Sequence, residues 1–381
     1  MTTFKKKCLD YHSLPKPGKL AIEITKPTNN QDDLSMGYSP GVAYPVEEIA
    51  KDKEQVYQYT NKPNLVAVIT NGTAVLGLGN VGPHAAKPVM EGKGVLFKKM
   101  ADVDVFDIEV NEENPEKLVD IIEAIAPTFG AINLEDIRSP DCFYIETELK
   151  RRLDIPVFHD DQHGTAIVVA AGLINALKVQ DILISQAKIV LLGAGAAGVA
   201  VANILLDLGA SKDNFYLMDR KGVIHKERDL PEFKKPFAKE NHTSIEEAMV
   251  DANVFIGLAA PNALPERHLE KMAPKPIIFA LSNPVPEVSY EAVKAHHANA
   301  IYATGRSDLP NQINNVLAFP YILKAALKLR IKQITPHMIA NCAVALSALV
   351  EKPDSESIVP GPFDTRLVEA FEQAMKQSVD E

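Results

Sequence analysis

A chain of 381 residues with 46% hydrophobic content is long enough for two domains, each with its own core, and too apolar to be disordered. Its 40 basic residues against 50 acidic ones leave a net charge of −10, which argues against nucleic acid or an anionic membrane as the main partner. Small anionic substrates stay open, provided a local site supplies positive charge.

The N-terminus MTTFKKKCLDYHSL has lysines but no apolar h-region, and no run of the chain approaches the roughly 18 apolar residues of a membrane span. Cys8, Cys142 and Cys342 are an odd, widely spaced set that fits neither a disulfide framework nor a thiolate zinc site. A reducing, cytoplasmic setting is therefore expected. The first 60 residues read as loops, with Gly37 to Gly41 as turns. From Asn64 the runs LVAVIT, AVLGLG, GVLF and VDVFDI read as strands alternating with short helices. LVDIIEAIAPTFGAINLEDI and YIETELKRRLDIPVFHDD each read as a helix followed by a short strand that ends on acidic residues.

From Gly164 a small-residue helix leads to the strand AKIVLLG and a glycine run, then to NFYLMD, NVFIGLA, PIIFALSNP and AIYATG at regular intervals. That alternation predicts a parallel, doubly wound sheet. From Tyr321 the chain reads as helical. The expected fold class is α/β, with an N-terminal α/β substrate domain over 1–163, a Rossmann-type dinucleotide-binding domain over 164–320 and C-terminal helices over 321–381.

Two stretches match G-x-G-x-x-G, Gly77 to Gly82 and Gly193 to Gly198. The second has the required context: the strand Ile189 to Leu192 enters it, a helix from Val199 leaves it, and Asp219 ends the next strand about 20 residues on. Gly193, Gly195, Ala196, Ala197 and Gly198 would form the turn that lets backbone approach a pyrophosphate, and Asp219 would bind the adenine ribose hydroxyls. The first motif is followed at once by Pro83 and by what reads as lysine-rich turns, so it is set aside.

Glu135 and Asp136 follow one short strand, and Asp160 and Asp161 another. Acids at two strand ends facing a dinucleotide site suit a hard-oxygen site for Mg²⁺ or Mn²⁺, although helix capping and solvated turns use the same residues. His159 and His163 flank the second pair, but no thiolate or spaced histidine set completes a zinc site. Lys87, Lys93, Lys98 and Lys99 crowd one segment; any of them could be a base if burial and a nearby dication lowered its pKa.

Taken together, LSMGYSPGVA, VLGLGNVGPHAAKPVMEGKGVLFKK, INLEDI, PVFHDDQHGTA, the GAGAAG turn, MDRKGVI, FALSNPVPE, TGRSDLPNQINNVLAFP and IVPGPFD resemble malic enzyme in its short bacterial form. The resemblance implies that Glu135, Asp136 and Asp161 bind the divalent metal, that Lys93 is the general base with Asp160 beside it, and that Tyr38 is the general acid. It implies further that Asn283 and Asn315 contact malate or the nicotinamide end, and that the protein is a homodimer. In this family the first glycine motif lies in the substrate domain. One departure is Ala74, where many larger relatives carry an arginine for the substrate carboxylate. The expected cofactor is NAD, because Asp219 repels a 2′-phosphate, with NADP as the alternative through Arg220 and Lys221. Another two-domain dehydrogenase, acting on an amino acid or folate derivative, would need no metal cluster. A catalytically silent dinucleotide sensor would have no use for Lys93, Tyr38 and the three acids.

Overall fold

Two parallel sheets, each covered by helices, carry the molecule. The computed structural model describes residues 3–75 and 77–380. In the first sheet β1 (Leu65–Thr70) lies between β2 (Asp104–Glu109) and β3 (Ala131–Leu134), with β4 (Val157–His159) outermost, all four parallel. Every residue of β1 is buried, which is why LVAVIT reads as an unbroken apolar run rather than an alternation.

Between β1 and β2 runs α1 (Pro83–Ala101), and here the sequence reading needs correction. GVLF is part of this helix and not a strand, with Gly94 and Phe97 on its inner face, and the segment read as lysine-rich turns is regular: Ala86, Met90, Lys93, Gly94, Phe97 and Ala101 recur three or four apart and are buried. Pro83 starts the helix instead of breaking the glycine motif, since a proline at the first position forgoes an N–H that would have no partner anyway. AVLGLG is likewise not a strand; Val75 pairs with Gly79 across a turn, and Leu76 lies outside the described residues. The N-terminal segment also holds helices, Thr3–Ser13, Gln31–Gly37 and Ala43–Lys51, none of which buries a residue. Gly37 to Gly41 is the turn expected there.

The second sheet contains β5 (Ile189–Leu192), β6 (Phe215–Asp219), β7 (Gly222–Val223), β8 (Val254–Gly257), β9 (Ile277–Ala280) and β10 (Ile301–Thr304), in the order β10-β9-β8-β5-β6-β7. Only β7 runs antiparallel. The chain leaves β5 toward β6 and returns to β8 on the other side, so a crevice opens at the carboxyl end of β5, the position where such sheets take ligands.

The helix α2 (Thr165–Gln180) is buried from Ala166 to Leu173 on all sides. A single apolar cluster runs from Val66, Val68 and Phe158 of the first sheet through this helix to Ile189, Ile256 and Phe279 of the second. Beyond it, α3 (Ala196–Asp207) follows the glycine turn, and α4 (Phe319–Lys328), α5 (Pro336–Ala348) and α6 (Leu367–Asp380) close the chain. The Phe319 ring of α4 meets the Phe97 ring of α1 edge-on at 4.9 Å, and Asn175 of α2 donates to the carbonyls of Ser347 and Ile358 at 2.9 Å. The C-terminal helices thus pin both sheets.

Candidate active site

Sheet geometry alone delivers the acids to one place. Because β3 and β4 are parallel neighbours in register, Leu134 beside His159, the residues that follow them leave the sheet at the same edge. Glu135, Asp136 and Asp161 place one carboxylate oxygen each within 4.8 Å of one another. The backbone N–H of Asp136 donates to Asp161 Oδ2 at 2.8 Å, and Asn133, one alternation before Glu135, donates to Glu135 Oε2 at 3.0 Å. Burial pushes the carboxyls of Glu135 and Asp161 above their usual range, the direction expected when like charges are gathered out of water. Three hard oxygens at this spacing fit a divalent cation such as Mg²⁺ or Mn²⁺.

Lys93 reaches this cluster from the buried face of α1. Its ammonium pairs with Asp160 and stands 3.0 Å from Glu135 Oε1, 4.2 Å above the centre of the Phe319 ring. Burial would lower its pKa, but the carboxylates of Asp160 and Glu135 outweigh that and hold it above the usual lysine value. Asp160 is itself fully buried, and the Asn315 amide donates to its Oδ2 at 2.6 Å, while Oδ1 has no hydrogen-bond partner. Residues 160–164 form one wide helical turn before α2. Gly164 is required there, since a Cβ would lie 1.8 Å from Asp160 Oδ1. Neither histidine joins the acid cluster: His163 bonds Glu146 at 2.7 Å, and burial pushes His159 down to about 4, leaving it neutral.

A cleft of about 650 Å³ opens over this group, lined by Lys93, Glu135, Asp136, Asp161, Asn283 and Asn315 together with Ala74, Tyr11 and Lys19. Asn283 sits in the loop after β9, which Glu287 fastens: its buried carboxylate accepts from the N–H of Ala259, after β8, and of Ser282, at 2.9 and 3.0 Å. Tyr38 does not line the cleft. It stands 75% exposed at the end of helix Gln31–Gly37.

At the second sheet Gly193 takes a φ of +120° and donates its N–H to Met218 of β6 at 2.9 Å. A Cβ on Gly198 would lie 1.7 Å from the Gly193 carbonyl oxygen, so the turn and the first turn of α3 close on each other only without one. Gly195 caps the helix, which begins at Ala196 and Ala197 with no side chain over its free N–H groups, the cradle a pyrophosphate needs. Asp219 ends β6 as expected, but its carboxylate is held by Arg228 and Lys234, and Arg220 beside it is exposed. Those two cations, Lys19 and Asn133 are residues that sequence reading missed. Asn133 alone carried a signal, its period-two relation to Glu135 along β3.

Comparison with known proteins agrees with this geometry. A family model described as the N-terminal domain of malic enzyme matches residues 17–150, and one described as the malic enzyme NAD-binding domain matches residues 162–368. An NADP-dependent malic enzyme of Halomonas elongata is 47% identical over 99% of this chain and 94% of its own length. Others are longer: the chain spans about half the length of an NADP-dependent malic enzyme of Haemophilus influenzae (48% identical, 98% of this chain, 52% of that protein). The same holds for an NAD-dependent malic enzyme of Rhizobium meliloti (45% identical, 98% of this chain, 51% of that protein). Among solved structures, a malic enzyme from Pyrococcus horikoshii superposes with a TM-score of 0.93 at 44% identity, covering 99% of this chain and 92% of that one.

Proposed function

The chain belongs to the malic enzyme family, and from that premise we propose that the cleft around Lys93 oxidises malate and releases pyruvate and carbon dioxide, reducing NAD or NADP. The observation that carries this reading is one buried lysine whose ammonium is shared between Asp160 and Glu135, the second of which also belongs to a three-carboxylate cluster. Glu135, Asp136 and Asp161 would hold Mg²⁺ or Mn²⁺, and Gly193, Gly195, Ala196, Ala197 and Gly198 the pyrophosphate of the dinucleotide. The dinucleotide would supply the hydride acceptor for malate oxidation, and the cation would supply positive charge for the decarboxylation.

The chain's own residues do the rest. Lys93 would take the proton of the C2 hydroxyl as the general base, and a cation held by Glu135 would compete with it for that carboxylate. Asp160, steadied by Asn315, keeps the amine aimed. Asn283 and Asn315 offer amides to malate or the nicotinamide end. Lys19, whose ammonium donates to the Pro88 carbonyl at 2.6 Å and makes no pair with the acid cluster, would stand in for the arginine replaced by Ala74 as partner of the distal carboxylate. Tyr38 returns a proton to C3 after carbon dioxide has left.

Since Tyr38 lies outside its own cleft, this last role calls for a second copy of the chain. Leu34, Met36, Tyr38, Val42, Tyr44 and Val46 are exposed along two helices that bury nothing and the turn between them, an apolar surface suited to a homodimer. Residues 1–163 would form the malate and metal unit, 164–320 the dinucleotide unit and 321–381 the helices across their junction. No helix among the described residues is long and apolar enough to cross a membrane, and we place the protein in the cytoplasm, acting on a small molecule without nucleic acid or membrane as partner. The test is the rate of reduced-nicotinamide formation from malate, with Mn²⁺ and each cofactor in turn. No turnover with either cofactor would overturn the assignment.

A further inference from the structure

Asp160 and Asp161 stand on the wide helical turn of residues 160–164, and the next two side chains of that turn reach away to a different helix. Gln162, 4% exposed, donates its amide to Glu146 Oε2 at 3.1 Å, and the Nε2–H of His163 donates to Glu146 Oε1 at 2.7 Å. One carboxylate grips two consecutive residues. Glu146 is itself 6% exposed, and Lys150, one helical turn further on, pairs with the same Oε1 at 2.7 Å. Burial would raise the Glu146 carboxyl, but His163 and Lys150 outweigh that and hold it well below the usual glutamate range. It is therefore an acceptor on both oxygens at neutral pH.

The position of Glu146 in the fold gives this grip its consequence. The helix Asp141–Arg152 that carries it is the crossover from β3 to β4, beginning shortly after Asp136 and ending before the strand that delivers Asp160 and Asp161. On the cleft side the turn is held through Asp161 by the Asp136 N–H, and through Asp160 by Lys93 and Asn315. On the far side Glu146 holds it. A turn this wide is rare and concentrates at functional sites. Without an acceptor at Glu146 the buried Gln162 amide would be unpaired, and the turn could gain by rotating to find another partner, carrying the adjacent Asp161 with it.

We propose that Glu146 is a positioning residue for the acid cluster: by holding Gln162 and His163 from the crossover helix, it fixes the turn at which Asp161 meets Asp136 and Asp160 meets Lys93. Glu146 does not line the cleft, so it acts only through these neighbours. The role rests on the reading of Glu135, Asp136 and Asp161 as a cation site.

The test is a calorimetric titration of the full chain with Mn²⁺ alone, beside the electron paramagnetic resonance spectrum of the bound ion. Glu146→Leu fills similar space without an acceptor and should weaken Mn²⁺ binding by about tenfold to a hundredfold, the usual cost of losing a partner behind a metal ligand, and alter the spectrum. Glu146→Gln keeps an amide oxygen and an amide N–H, and Gln162 can turn its own amide to meet either, so this variant should recover most of the affinity. Both are measured well below their melting temperatures, where a residue that merely stabilises the fold would leave Mn²⁺ affinity unchanged. If Glu146→Leu fails to fold, Gln162→Met removes one of the two contacts at similar volume and should still weaken binding severalfold. Affinity equal to wild type in folded Glu146→Leu, or in Gln162→Met where that takes its place, overturns the proposal, and so does a Glu146→Gln variant as weak as Glu146→Leu. A wild-type chain that binds no Mn²⁺ would remove the cation site itself, a result distinct from a bound ion that is indifferent to Glu146.

Discussion

Lys93 Nζ and Glu135 Oε1 stand 3.0 Å apart, and Glu135 is at the same time one of the three acids whose oxygens converge within 4.8 Å. One carboxylate therefore faces both the proposed base and the proposed cation position, so occupancy of the second should alter the first.

Exhaustive chelation should abolish malate oxidation, and Mn²⁺ should restore it. Asp161→Ala should lower kcat/KM by several orders of magnitude, because it opens the cluster and also removes the acceptor for the Asp136 N–H. Activity unchanged after chelation, measured against a Mn²⁺ titration, would discard the metal assignment.

Tyr38 and Lys93 can be separated genetically. Lys93→Ala and Tyr38→Phe should each be inactive as pure homodimers in malate turnover. If the acid is supplied across the dimer, mixing and refolding the two variants should restore up to about a quarter of wild-type activity, since half of the dimers are then mixed and each holds one intact site. Absence of any recovery, with mixed dimers verified by mass, would return Tyr38 to its own chain or strip it of the role.

Lys19 lines the cleft from the N-terminal segment, and its ammonium donates to the Pro88 carbonyl at 2.6 Å. Lys19→Ala is expected to raise KM for malate roughly tenfold, the loss of one charge-assisted contact, with a much smaller change in kcat. A KM equal to wild type would show that another group holds the distal carboxylate.

A pH effect on stability should originate at Glu109, at the same sheet edge as Glu135 and two strands away from it. Burial first, and Asp107 beside it second, push its carboxyl up to about 7, and its Oε1 is buried without a hydrogen-bond partner. The folded state thus binds a proton that the unfolded state releases between the ordinary glutamate range and about 7. Stability from this group is present below that window and lost as pH rises through it. Glu109→Gln should therefore stabilise the chain more at pH about 8 than at pH about 5, by at most about 3 kcal/mol in urea melts. An equal effect at both pH values would refute the shift.

The second sheet was legible in the sequence because its strands are short apolar runs separated by turn residues at regular intervals, and local pattern suffices there. So was the pairing of acids at two strand ends. The helix α1 was not, because its glycines and lysines mimic turn composition. Only its burial pattern, with Lys93 on the inner face, reveals the period. The partners of Asp219 were invisible for a different reason. They come from segments of low regularity whose path around β7 is set by tertiary packing.

Helix α2 lies in one apolar cluster with strands of both sheets, so the boundary proposed at residue 163 would divide function without dividing cooperativity. Unfolding either half would strip α2 of half its packing, and the chain should melt in a single transition. Under that linkage, adenosine nucleotide bound at the proposed glycine turn should protect Asp160 and its neighbours from hydrogen exchange as well as its own sheet. The acid cluster would thus gain rigidity from a ligand that never touches it.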